Sequence, residues 1–307
     1  MERKPLGVAI TVGNQKGGVG KTTNTVHIAA ALGERGHKCL IIDLDPGAGS
    51  TKHLGVNPKS FAGTLELVTT GDMPKDLALV ENLPKNVHLI PARTELAELD
   101  KHLSKFVDRT HILDGSIELA RNDYDFILLD TQPFAASATT VAAYAASDWI
   151  LLSALPHAMS IHGLNEALAD IADVRSNRNP RLEILGLVFC AVDRRTRARA
   201  QVEEFIQTHM QQRALSTYVS QAVAVNAAAE KGKTLFQIKG YRKHPVTEQY
   251  RQIAAEILHR VTNRDAFVAG TLGPPVTVLR AETKPAETVK PKPAAEDDAV
   301  LAKAANE

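Results

Sequence analysis

The stretch GNQKGGVGKTTNTVHIAAAL, residues 13–32, decides the fold because a glycine-rich loop in it joins an apolar run to a helical pattern. The apolar run LGVAITV at 6–12 comes directly before it, and helical periodicity extends over 22–35. A glycine-rich turn between a strand and a helix lets backbone N–H groups approach phosphate oxygens, and the helix N-terminus adds its positive dipole. The sequence therefore predicts a phosphate-binding loop at 16–23.

The rest of the chain repeats this alternation of short apolar runs and helical stretches. The apolar runs are rich in Ile, Val and Leu, which is typical of strands in a parallel sheet that is covered on both faces. They lie at 38–43, 87–92, 124–130, 148–155 and 182–192, with helical periodicity at 136–146, 161–175, 198–212 and 246–261. The pattern predicts an α/β fold, a doubly wound and mostly parallel sheet with helices on both faces.

Composition narrows the class of protein. The formal net charge of +1 gives no global attraction to nucleic acid, so any such binding needs a local basic patch. Cys39 and Cys190 lie in apolar runs, which predicts buried, reduced thiols rather than a disulfide framework. The N-terminus lacks a signal-peptide pattern and no apolar run approaches the roughly 20 residues of a membrane span, so we expect a cytoplasmic protein.

The domain organisation follows from a shift in composition near the C-terminus. We expect a short polar lead at 1–5, one nucleotide-binding domain at 6–265, and a disordered tail at 270–307. The tail is rich in Pro, Ala, Lys and Glu and contains no aromatic residue, so it cannot bury enough apolar surface to fold. The same composition argues against an amphipathic membrane-binding helix there.

Two lysines distinguish this loop from the common phosphate-binding pattern. That pattern has glycine where this chain has Gln15, and a second lysine, Lys16, follows it. We expect Lys21 to reach the β- and γ-phosphates and the Thr22 hydroxyl to bind Mg2+. A second cation near the γ-phosphate would stabilise charge in phosphoryl transfer. The predicted ATP-binding loop consists of Lys16, Gly17, Gly18, Val19, Gly20, Lys21, Thr22 and Thr23.

Carboxylates follow two of the later strands. Asp43 and Asp45 flank Leu44 at the end of the second apolar run, which places both side chains on the same side of an extended segment. Asp130 ends the run FILLD and is expected to hold Mg2+ through water. Ligands of parallel sheets bind at the carboxyl ends of the strands, so these acids and the loop are expected to form one site.

The motif NQKGGVGKTT closely resembles the ParA/Soj branch of the deviant Walker A P-loop ATPases, and the resemblance covers roughly 6–262. It implies that Mg2+ and ATP bind, and that Lys16 crosses a dimer interface to the partner's ATP. It further implies that Asp45 positions the attacking water and that Asp43 supports Mg2+ and the switch region. The segment VDRRT implies that Asp193 and Arg194 lie near the adenine.

The resemblance also implies an ATP-dependent homodimer, non-specific DNA binding and stimulation of hydrolysis by a ParB-like partner, with plasmid or chromosome partition as the leading function. Two basic clusters are candidates for DNA contact, although solvated helix faces or nucleotide contacts would give the same pattern. The candidates are Arg195, Arg197, Arg199, Lys239, Arg242 and Lys243.

This chain departs from the family at two places. Gly47 replaces a glutamine that usually follows the Asp-Pro pair, which puts the hydrolysis rate in question. The positions near Gln221 and Ala224, where the family often carries DNA-contacting arginines, are neutral. A positioning or regulatory ATPase that does not bind DNA therefore stays open as the alternative.

Overall fold

The computed structural model describes residues 7–60, 63–70, 83–98, 111–133, 137–156, 158–193, 204 and 213–273, with the backbone alone for 158–162. Several predicted features lie outside these residues. They are the DNA-contact candidates Arg195, Arg197 and Arg199, the adenine candidate Arg194, most of the predicted helix 198–212, and nearly all of the tail at 270–307.

Six strands form one sheet, and every pair of neighbouring strands is parallel. The order across the sheet is β3-β2-β4-β1-β5-β6. The strands are β1 Val8–Gly13, β2 Cys39–Asp43, β3 Val87–Ile90, β4 Phe126–Asp130, β5 Trp149–Ala154 and β6 Glu183–Phe189. The predicted parallel, doubly wound sheet is confirmed, because each of the six apolar runs forms one of these strands.

Helices connect the strands and cover both faces. Within the described residues they are α1 Lys21–Glu34, α2 Gly49–His53, α3 Thr64–Thr70, α4 Asp114–Ala120, α5 Ala138–Ala146, α6 Ala158–Asn177, α7 Val223–Glu230, α8 Pro245–Thr262 and α9 Arg264–Val268, with a 3-10 turn at Pro58–Ser60. No helix in this part of the chain is long and apolar enough to span a bilayer.

Alternate strand residues point into different core layers, as the period of a strand requires. Ile10 and Ile41 pack in the layer that contains α1 and α8, whereas Ala9 and Ile42 pack with α4 and α5 on the other face. Helix α1 is buried over nearly its whole circumference because it lies between the sheet and α8. This burial fixes the start of α1, and therefore the loop before it, against the sheet.

The strand order creates the place for a ligand. From β1 the chain moves to β2 on one side, and from β4 it moves to β5 on the other side, so the direction reverses between the neighbouring strands β1 and β4. Val12 pairs with Asp130, and Asp43 pairs with the same residue from the other side. The glycine-rich loop and the acids therefore meet at the carboxyl edge, at a topological switch point.

Candidate nucleotide-binding site

The glycine-rich loop turns tightly before α1. Gly20 has φ of 90°, in the left-handed region that favours glycine. A Cβ atom there would lie 3.0 Å from the Cys190 Sγ, so the loop also packs directly on the end of β6. Cys190 and Cys39 are both buried free thiols, which confirms that prediction.

Lys21 is a buried cation at the start of α1, with 6% of its surface exposed. Its Nζ donates a hydrogen bond to the Lys16 carbonyl oxygen at 3.1 Å. Burial lowers the pKa of Lys21, while the nearby carboxylates of Asp130 and Asp45 act to raise it. Among the described residues this buried ammonium group donates one hydrogen bond, to a loop carbonyl, and it is well suited to exchange that contact for an anionic ligand.

A buried polar network supports the loop from beneath. The Asn24 Nδ2 donates to Ser153 Oγ at 2.9 Å and to Cys190 Sγ at 3.1 Å, and Tyr250 OH donates to Asn24 Oδ1 at 3.1 Å. The Ser153 hydroxyl donates to the Val19 carbonyl at 2.6 Å. These side chains fix the path of the loop backbone. No sequence motif indicates these contacts, because the residues lie far apart along the chain.

The first half of the loop is held by side chains as well. The Lys16 backbone N–H donates to Asn14 Oδ1 at 2.9 Å, and Asn14 Nδ2 donates to the Ser153 carbonyl at 2.7 Å. Gln15 donates to Asp170 on α6 at 2.5 Å. Lys16 itself is half-buried, and Gly17 and Gly18 are exposed. The backbone of the loop is thus fixed, while its outer face stays accessible.

Asp130 lies at the end of β4 and is fully buried. Its Oδ2 accepts a hydrogen bond from Ser50 Oγ at 2.7 Å. Its Oδ1 has no well-formed hydrogen bond to a described residue, although the Thr22 hydroxyl lies close enough to lower the pKa of the carboxyl group. Thr22 also packs on α2, since a Cβ atom on Gly49 would lie 2.6 Å from Thr22 Oγ1.

Asp43 is also fully buried, and both of its oxygens are engaged. Oδ2 accepts from the Thr51 N–H at 2.9 Å and from Thr51 Oγ1 at 2.7 Å, while Oδ1 accepts from the Asp45 N–H at 3.2 Å. Burial raises the pKa of Asp43, and the neighbouring Asp130 adds to that rise. Asp43 thus anchors the segment that carries Asp45 and the start of α2.

Asp45 lies beyond the strand and is partly exposed. Its Oδ1 accepts a hydrogen bond from the Gly47 N–H at 2.7 Å. A Cβ atom on Gly47 would lie 3.0 Å from the same oxygen, so a glutamine at this position would press on the carboxylate. Asp45 lies close enough to Lys21 and Asp130 to influence the pKa values of both.

The residues at this edge fit a magnesium ion. Two fully buried carboxylates, Asp43 and Asp130, lie side by side, and burial raises the pKa of both. A bound cation would remove that cost. Mg2+ prefers oxygen ligands, and the Thr22 hydroxyl together with the free Oδ1 of Asp130 supplies them. Asp43, whose oxygens are already engaged, fits the supporting role.

A cavity of ≈480 Å3 lies beyond the carboxyl end of β6. It is lined by Val192, Asp193, Ser220, Gln221, His244 and Val246, among others. Asp193, the described adenine candidate, is among the residues that line this cavity. Its role stays a prediction.

The described basic candidates lie elsewhere on the surface. Lys239, Arg242 and Lys243 are exposed on the segment that leads into α8. Arg242 Nε donates to the Phe236 carbonyl at 2.9 Å. None of the three forms a hydrogen bond or ion pair with the loop among residues whose positions are described.

Comparison with known proteins identifies the family. A family model described as "AAA domain" matches residues 7–184. The chromosome partitioning protein ParA of Caulobacter vibrioides is 30% identical over 272 residues, covering 88% of this chain and 100% of that protein. The chromosome-partitioning ATPase Soj of Thermus thermophilus is 31% identical over 253 residues, covering 82% and 96%.

Solved structures show the same fold. Cobyrinic acid a,c-diamide synthase from Mycobacterium smegmatis, with bound ADP and magnesium, has a TM-score of 0.71 at 24% identity and covers 84% of this chain and 96% of its own. A putative plasmid partition protein from Borrelia burgdorferi, bound to AMPPNP, has a TM-score of 0.68 at 23% identity, covering 85% and 100%. The full-length match to the partition proteins, together with the two-lysine loop, shows that this chain belongs to the ParA/Soj family of P-loop ATPases.

Proposed function

We propose that this protein binds Mg2+ and ATP at the loop 16–23 and hydrolyses ATP slowly. The observation that carries the proposal is the buried Lys21, whose ammonium group donates to one loop carbonyl among the described residues and interacts electrostatically with Asp130 and Asp45. Lys21 and the loop amides hold the phosphates, while Thr22 and Asp130 hold Mg2+. The metal supplies charge neutralisation for the triphosphate.

The other two functional residues act on the reaction and the assembly. Asp45 orients the attacking water, because it is the accessible carboxylate next to Lys21 and Asp130. Lys16 is half-buried on the outer side of the loop and reaches the ATP of a second subunit. Hydrolysis and dimerisation are then coupled, since a cation of one subunit stabilises charge in the other.

The switch acts in plasmid or chromosome partition. The ATP-bound dimer binds DNA without sequence preference, and a ParB-like partner stimulates hydrolysis and release. The names of the relatives from Caulobacter and Thermus support this role, and such a protein would act on the nucleoid in the cytoplasm. Lys239, Arg242 and Lys243 are the described candidates for DNA contact.

Substitution of Lys16 tests the dimer switch. We expect Lys16→Ala to bind ATP but to stay monomeric in analytical ultracentrifugation with ATP and Mg2+, because its backbone contact to Asn14 is kept while the cation is lost. Lys38→Ala is the matched control, since Lys38 is exposed at the opposite edge of the sheet. ATP-dependent dimers of Lys16→Ala, formed as in the control, would refute the assignment.

A gel shift on duplex DNA of arbitrary sequence, with ATP, ADP or no nucleotide, tests the partition role. We expect binding with ATP only. The second candidate function, a positioning ATPase without DNA binding, is favoured by Gln221, which is neutral, and by Ala224, which is buried and cannot contact DNA. ATP-dependent dimers that shift no DNA would select this alternative.

A further inference from the structure

One short segment connects the nucleotide site to a distant loop. The switch segment, residues 49–56, contains α2 and begins at the candidate magnesium ligands. Ser50 donates to Asp130, and Thr51 donates twice to Asp43. Gly49 lies against the Thr22 hydroxyl. Any change in the hydrogen bonds of these acids therefore acts directly on the start of the segment.

The far end of the switch segment touches the loop that follows α7. Gly55 and Gly232 both have positive φ, 65° and 62°, and their backbones are in contact. A Cβ atom on Gly232 would lie 2.9 Å from Gly55 Cα, and one on Gly55 would lie 3.1 Å from Gly232 Cα. No side chain separates the two segments, so displacement of one displaces the other.

A second contact joins the same two segments through α1. The rings of His53 and His27 are 5.2 Å apart in an edge-to-face arrangement. His27 Nδ1 lies 2.8 Å from the Thr23 carbonyl, and its Nε2 accepts a hydrogen bond from the Leu235 N–H at 3.3 Å. The switch segment, α1 and the loop at 231–235 are thus packed together without an intervening gap.

Exposed lysines flank this contact on both sides. Lys52 lies on α2, and Lys231 and Lys233 flank Gly232; all three are exposed. None of them forms an ion pair with any residue that the structure describes. Three exposed cations outnumber the one exposed acid beside them, Glu230, so the surface around this backbone contact has a net positive charge. A polyanion with regularly spaced charges is its natural ligand.

We propose that Lys52, Lys231 and Lys233 form one binding surface for the phosphates of duplex DNA, and that the bound nucleotide sets its geometry. Lys52 is carried by the segment that closes the magnesium site, whereas Lys231 and Lys233 follow it through the Gly55–Gly232 contact. Lys239, Arg242 and Lys243 follow Lys233 along the chain and are also exposed. The inference rests on the proposed function, because it explains how ATP would control DNA affinity.

Charge removal tests the surface. Affinity of the full chain for a duplex is measured across a salt series at saturating ATP analogue and Mg2+, for Lys52→Gln, Lys233→Gln and the control Lys38→Gln. Loss of one phosphate contact in each subunit of the dimer lowers the slope of log K against log salt by about 1.8, which is roughly 60-fold in affinity at 0.1 M salt. We expect this loss for the first two variants and wild-type affinity for the control.

The other possible results each refute a different part of the proposal. If wild type binds DNA and Lys52→Gln matches Lys38→Gln, the surface is wrong while the proposed function stands. If wild type binds no duplex in any nucleotide state, the proposed DNA binding and this inference both fail. If poly-L-glutamate binds instead with the same dependence on Lys52, the partner is an acidic protein segment and the DNA assignment is overturned.

Hydrogen exchange tests nucleotide control without any mutation. Amide protection is compared between the ADP and ATP-analogue states of the wild-type protein. We expect residues 49–56 and 231–235 to change together, with α4 as an internal reference that stays constant. A change in protection confined to residues 49–56 would show that the Gly55–Gly232 contact does not couple the two segments.

Discussion

Two buried histidines make the fold sensitive to acid. His27 is fully buried, and burial, followed by the neighbouring His53, lowers its pKa to about 3. Burial also lowers the pKa of His53 to about 4. The Thr23 carbonyl can only accept and the Leu235 N–H can only donate, so His27 is held as the neutral Nδ1–H tautomer. Protonation of its Nε2 would break the bond to Leu235.

The sign of the effect follows from linkage. Both pKa values are lower in the folded state than the ordinary value of 6.5. The unfolded chain therefore binds protons first as pH falls below 6.5, and stability drops until pH reaches about 4 to 3. Relative to neutral pH, each of the two histidines lowers the free energy of unfolding at pH 5 by on the order of 2 kcal/mol. This is a large part of a typical domain stability of about 5–15 kcal/mol.

We expect His53→Phe to remove about half of this acid sensitivity. Between pH 8 and pH 5, wild type should lose about 2 kcal/mol more stability than the variant. The raised pKa values of Asp43 and Asp130 act in the opposite direction, but they are present in both proteins and largely cancel in the difference. Urea unfolding at each pH, followed by the fluorescence of the single, buried Trp149, measures this difference.

The same substitution at an exposed position is the control. His111→Phe changes a histidine whose side chain is 58% exposed and whose Nδ1 lies 2.6 Å from Asp114 Oδ2. Because a carboxylate partner favours the charged imidazole of the folded state, any change in the pH profile of this variant should have the opposite sign to that of His53→Phe. If the profile of His53→Phe runs parallel to wild type within about 0.5 kcal/mol, the buried pair does not titrate as argued.

Three further substitutions test the candidate site and the buried polar contacts. Tyr250→Phe leaves Asn24 Oδ1 without its donor, so we expect about 1–3 kcal/mol of lost stability in urea unfolding and weaker binding of a fluorescent ATP analogue. Arg260→Met leaves the buried Glu256 carboxylate without its 2.6 Å partner and should cost about 3–5 kcal/mol in the same assay. Asp130→Asn should abolish the Mg2+ dependence of ATP affinity, measured by calorimetry; unchanged dependence would exclude Asp130 from the metal site.

The strands could be predicted from sequence because a sheet covered on both faces requires continuous apolar runs. The boundaries were less accurate where burial continues beyond strand pairing. The predicted run 182–192 forms the strand Glu183–Phe189, whereas Cys190 and Val192 stay buried after it, and Val192 makes only an isolated bridge to Ser220. A hydrophobic run indicates which residues are buried, and residues can stay buried after the hydrogen bonding between strands has ended.

The site was predictable only where chemistry imposes local spacing. The loop 16–23 and Asp130 lie together because each follows or ends one of two neighbouring parallel strands, whose carboxyl ends meet at one edge of the sheet. The supporting network was not predictable: Ser153 and Tyr250 lie 129 and 226 residues from Asn24. Similarly, no motif indicates that Ser50 donates to Asp130. Such contacts depend on how helices pack, which one sequence does not encode in a short pattern.

The network beneath the loop has a consequence for biosynthesis. Tyr250 contributes its hydroxyl from α8, near the end of the described chain, to an asparagine at the beginning of α1. Domains tend to fold as units while the ribosome still synthesises the chain. The ribosome must therefore synthesise almost the whole domain before the first loop gains its full set of supporting contacts.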